Sequence, residues 1–120
     1  MRKLTRVTIF ALFVAIAAPA LAEDIEQATL DNVQATATKG YAHPASAKLR
    51  NVHKSLATNG SGYCGEVTVE ETEETYTTFH VLLDTPNGPS VLRLYDFSSP
   101  DTDPQAATVH QMMRNFGCLK

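Results

Sequence analysis

Three features of the sequence predict an α+β domain in which three or four antiparallel strands are packed by an N-terminal and a C-terminal helix. Apolar residues recur at helical intervals near both ends of the chain, and the middle carries short runs of alternating character. Clusters of Gly, Pro and Asn join those runs by connections too short for the crossover that parallel neighbours need, so an antiparallel meander is expected.

In chain order, Asp24 followed by Gln27 has the spacing of a capping box, and Ile25, Ala28, Leu30, Val33 and Ala37 continue at helical intervals up to Gly40. This first helix has a thin apolar face and must pack on a larger surface. A short second helix is expected over Pro44–Asn51, because Pro44 suits a first helical position and Ala47 and Leu49 offer an apolar patch. Val52–Thr58 and Tyr63–Val69 read as strands on either side of the turn Asn59-Gly60-Ser61-Gly62. The run Glu70-Glu71-Thr72-Glu73-Glu74 reads as a solvated connection, since its carboxylates repel one another and resist burial.

Thr75–Asp84 has the clearest alternation, with Thr77, Phe79, Val81 and Leu83 on one face and Tyr76, Thr78, His80 and Leu82 on the other. Phe79, Val81 and Leu83 are therefore expected in the core, and the face bearing His80 stays open if helices cover only the opposite one. After the turn Asp84–Pro89, residues Ser90–Phe97 supply a further strand. The last helix is well marked: Asp103 can cap, Pro104 fits the first turn, Ala106, Val109, Met113 and Phe116 form a stripe, and Gly117 ends it.

Residues 1–22, MRKLTRVTIFALFVAIAAPALA, read as an export signal, and residues 23–120 as a single exported domain. Arg2, Lys3 and Arg6 form the basic head, an apolar run extends from Val7 to Ala18, and Ala20-Leu21-Ala22 is a cleavage site. The run is short for a transmembrane span and no cysteine lies near the cut to carry acyl chains, so no membrane insertion is expected after cleavage. A periplasmic or secreted location follows.

That location is oxidising, and the two cysteines, Cys64 and Cys118, are most simply read as one disulfide. Closing a loop of about 55 residues is worth roughly 4 kcal/mol in the chain-entropy model. Removing the three leader cations from the 10 Lys and Arg leaves seven basic against 13 acidic residues in the exported part. Nucleic acid and anionic lipid need a basic footprint, so neither is expected as a partner.

No catalytic signature emerges. His43, His53, His80 and His110 stand at no established metal-ligand spacing, and no metal or cofactor is expected. Gly65 after Cys64 suits a reactive thiol, but also the close approach of a second segment in a disulfide, which would abolish the nucleophile. The glutamate run lacks the glycine of a calcium loop and the apolar surroundings that raise an acid's pKa. Tyr63, Tyr76 and Tyr95 fall on successive strands and, with His80, form the candidate binding surface, against the alternative of plain cross-strand packing.

The segment His43-Pro44-Ala45-Ser46-Ala47-Lys48-Leu49-Arg50-Asn51-Val52, followed by Tyr63-Cys64-Gly65-Glu66-Val67, resembles a group of small exported or lipid-anchored bacterial proteins of unassigned function. These share a D-P-x-S-A-x-F-R-N segment followed by a C-G-E-V-N strand. The likeness spans residues 43–67, with His43 in place of the Asp, Leu49 of the Phe and Thr68 of the Asn. The resemblance implies a bacterial envelope setting and a structural Cys64, and no reaction.

The function expected is that of a non-enzymatic binding or accessory module acting on another envelope protein through an exposed sheet face or edge. The alternatives are a small-ligand-binding protein or a small hydrolase using histidine and carboxylate groups.

Overall fold

The computed structural model describes residues 25–97 and 99–120. The export signal and the Asp24 cap lie outside them. In order the chain forms α1 (Gln27–Ala37), a 3₁₀ turn (Pro44–Ser46), β1 (Leu49–Lys54), β2 (Gly62–Thr68), β3 (Tyr76–Leu82), β4 (Ser90–Arg93), a second 3₁₀ turn (Leu94–Asp96) and α2 (Pro104–Asn115). The strands make one antiparallel sheet in the order β1-β2-β3-β4, the expected meander.

Cross-strand register sorts the side chains. Leu49, Val67, Phe79 and Val91 share one face, and Val33 and Ala37 of α1 complete its buried cluster with Val67, Phe79 and Val81. Arg93 locks α1 to this face, its Nη1 donating to the Ala37 carbonyl at 2.7 Å where the last helical carbonyls lack partners. Lys39 donates to the Pro89 carbonyl at 2.7 Å.

The other face is not left open along its length. His53, Cys64, His80 and Leu92 form one row across the four strands, and the end of α2 closes over that row. Gly117, at φ 83°, reverses the chain: its amide donates to the Arg114 carbonyl and that of Cys118 to the Met113 carbonyl, a paired hydrogen-bond cap that left-handed glycine makes accessible. Cys118 thereby reaches back to Cys64, and the disulfide spans a sequence separation of 54.

Several expectations are corrected. Leu49–Asn51 belong to β1, and only Pro44–Ser46 turn helically, because the amide of Gln34 fixes the Pro44 and Ala47 carbonyls at 3.2 and 3.0 Å and Leu49 pairs with Val67. α1 starts at Gln27 with Glu26 as its N-cap residue, so Gln27 does not close a box but binds Asp31 at 2.9 Å. β4 stops at Arg93, where the amide of Tyr95 turns to the Thr77 hydroxyl at 2.9 Å. Within the acidic run, Glu71, Glu73 and Glu74 are exposed as expected, whereas Glu70 is half-buried and accepts a hydrogen bond from the Ala42 amide. α2 matches its expectation, with Asp103 accepting from the Gln105 amide at 3.0 Å and Ala106, Val109 and Met113 buried.

Candidate functional site

The part of the second sheet face beyond the α2 hook is accessible, and Arg50 stands on it. The Arg50 guanidinium lies 3.7 Å from the centre of the Tyr76 ring, within the range of cation–π attraction. Its Nε donates to Glu66 Oε1 at 2.9 Å, and the same oxygen accepts from Asn51 Nδ2 at 2.7 Å. The hydrogen bond from Arg50, then that from Asn51, hold the Glu66 carboxyl below its usual value against the opposing effect of burial, with the Arg50 charge adding least. The Arg50 side chain is nevertheless 51% exposed.

A backbone irregularity produces this cluster. Between Arg50 and His53 the β1–β2 register shifts, and Asn51 adopts φ 57°, a left-handed conformation that asparagine tolerates better than most residues. The bulge brings Arg50 and Asn51 together onto one carboxylate. A shallow opening beside them, lined by Asn51, His53, Glu66, Thr78 and the terminal Cys118–Lys120, marks where sheet and chain end meet.

The four residues expected to make the binding surface are distributed over the molecule. Tyr76 lies on the accessible half-face. Tyr63 lies on the opposite face and packs against the core, because it pairs with Val81. Tyr95, 66% exposed, stands on the 3₁₀ turn after β4. His80 is 2% exposed and stacked on Phe116, so it faces the C-terminal hook. Arg50 was not among the expected residues. The signal in the sequence is the Arg50-Asn51 pair on one strand with Glu66 on the next.

A cleft of about 380 Å³ lies at the far end of β2, between the 41–48 connection and the 68–73 turn. Its lining includes Tyr41, His43, Lys48, Glu70 and Glu73. Much of its polar framework is already engaged: the Tyr41 hydroxyl donates to the Thr68 carbonyl at 2.7 Å, and the Lys48 amide donates to the Thr68 hydroxyl at 3.1 Å. Burial raises the Tyr41 pKa above its ordinary value despite the Arg93 guanidinium 5.1 Å from its ring.

Among the described residues, no three His, Cys, Asp or Glu side chains gather as metal ligands, and no helix is long and apolar enough to cross a membrane. No protein-family model, curated protein or solved structure matches the chain.

Proposed function

We propose that residues 23–120 form a non-enzymatic binding or accessory module of the bacterial envelope, periplasmic or secreted, that docks another envelope protein on the half-face around Arg50 and Tyr76. The observation that carries this reading is an exposed arginine stacked on a tyrosine and anchored by Glu66. Arginine and tyrosine dominate protein interfaces energetically, and a side chain ordered before contact loses less entropy on binding.

The face is favoured over the sheet edges. β1 is broken by its bulge and carries Arg50 and Lys54, and β4 has four residues and follows Pro89; these are the devices that keep edge strands from pairing. The nearby histidines, His53 and His80, engage the C-terminal hook through Gly117 and Phe116. The partner chemistry that fits is an acidic or carbonyl-bearing group for the guanidinium beside an apolar surface for the ring.

Affinity capture from envelope extract, followed by native mass spectrometry, tests the reading with the Arg50→Ala/Tyr76→Ala variant alongside. A stoichiometric protein on the wild type that is lost from the variant supports it. A bare wild-type monomer, or equal capture by both proteins, overturns it. The second reading, a small ligand in the Tyr41–Glu70 cleft, rests on a volume within the range of ligand pockets; a bound small molecule lost in Glu70→Gln would favour it.

A further inference from the structure

We propose that the C-terminal hook is an acid-released latch on the sheet, with His80 as its trigger and the disulfide as its tether. The His80 and Phe116 rings are stacked with centroids 4.1 Å apart and planes 16° from parallel. Phe116 is the last residue of the α2 cap, and its carbonyl accepts from the Leu56 amide at 2.8 Å. Gly117 follows, and Cys118 is bonded to Cys64, the neighbour of His80 across the β2–β3 ladder. The hook therefore lies directly on the imidazole.

His80 Nε2 is buried and has no hydrogen-bond partner among the described residues. A Cβ on Gly62 would lie 3.0 Å from that nitrogen, with Ser55 Oγ and Ala57 Cβ on its other sides, so the nitrogen faces a narrow space between β2 and the β1–β2 connection. A proton added there would put a charge in a closed site with no acceptor in hydrogen-bond reach, which burial penalises strongly. The same burial holds the His80 pKa down to about 4 from 6.5. Lifting Phe116 opens the site to water and relieves the penalty, while the disulfide keeps the chain end attached.

The surrounding groups leave His80 as the acid-sensitive one. From β2 it faces the Cys64 disulfide, from β4 Leu92, and from the hook Phe116, none of which titrates. On the same face, His53 lies one strand beyond Cys64, and Glu66 and Tyr76 lie further along β2 and β3. On α2, Arg114 is exposed and donates to Gln111, and His110 is half-buried. The two ring nitrogens of His53 face carbonyl oxygens, of Asn51 at 3.1 Å and Gly117 at 3.3 Å. With a proton on each ring nitrogen, His53 donates to both carbonyls, that of Gly117 in the hook included, which holds the hook and does not release it.

The test is amide hydrogen exchange on the disulfide-intact protein between pH 7 and pH 5, expressed as protection factors. Protection of the Leu56 and Cys118 amides is expected to fall about twentyfold, the linkage between a histidine at about 4 when latched and about 6.5 when released, and to lie well below that of the β2–β3 amides at both pH values, because the hook opens without the sheet. His80→Leu should abolish the difference and His53→Gln should preserve it. Unchanged hook protection, hook protection equal to that of the β2–β3 ladder at both pH values, or a His80→Leu protein that keeps the pH response would each overturn the latch. The His80 ring is also followed by NMR in the wild type, so a variant that fails to fold leaves a decisive reading. Titration well below 6 supports the latch, and titration near 6.5 overturns it.

Discussion

Gly65 and Phe79 face each other across the β2–β3 ladder with no room for a side chain between them: a Cβ on Gly65 would lie 2.8 Å from Phe79 Cζ and 3.2 Å from Val52 Cγ2. Phe79 is fully buried in the cluster shared with Val33, Ala37, Val67 and Val81, so it cannot move aside without disturbing α1. Gly65→Ala is expected to destabilise the domain by about 1–3 kcal/mol, the usual cost of overpacking a filled core. Urea unfolding should show a lower midpoint at unchanged slope. Wild-type stability in Gly65→Ala would contradict the packing of this face.

The Asn51 bulge makes a more discriminating prediction, because two substitutions act on it differently. Asn51→Gly accepts φ 57° but loses the hydrogen bond to Glu66, at a cost of about 1 kcal/mol. Asn51→Val places a β-branched residue in the left-handed region and should cost about 1–3 kcal/mol more. Thermal unfolding of the pair should rank valine below glycine, and the reverse order would mean that the bulge is not a fixed feature of β1.

Replacing Cys64 and Cys118 together by Ala should remove up to about 4 kcal/mol, the chain-entropy value for a loop of this size. The hook should suffer beyond the global loss, since it is held otherwise by the Leu56–Phe116 hydrogen bond, the His53 contact and the Phe116 stack. Hydrogen exchange at Leu56 is expected to accelerate more than in the β2–β3 ladder. Equal acceleration at both would show that the hook does not open separately.

These features differ in how far the sequence exposes them, and the division follows the range of the interactions involved. The alternation of Thr75–Asp84, the turns and the Asp103–Gly117 frame of α2 are local signals, and they match β3, the meander and the last helix closely. Pro44 to Asn51 also carries a local signal, for a helix, but pairing of Leu49 with Val67 and the hold of Gln34 on two carbonyls prevail there. Arg50 reaches Tyr76 and Glu66 only through a bulge, which periodicity does not reveal. Which face of β3 remains open depends on where α2 ends, and that is fixed by contacts between residues far apart in sequence.

Stability should depend on pH in two separable steps. His80 has a folded-state pKa of about 4, below its ordinary 6.5, so the unfolded chain binds its proton first. The stability this group confers is complete above about 6.5 and is lost as the pH falls toward 4, amounting to roughly 3 kcal/mol over that window. Glu66 is also lowered from its ordinary 4.5, so its contribution is present above that value and is lost only as the pH falls through the lowered one. Unfolding free energies between pH 7 and pH 5 should therefore decline in the wild type and in Glu66→Gln, and stay level in His80→Leu. Because Glu66 is partly exposed, solvent screens its pairing with Arg50, and Glu66→Gln should differ little from the wild type at pH 7. A His80→Leu protein whose stability falls with acid as steeply as the wild type would assign this window to other groups.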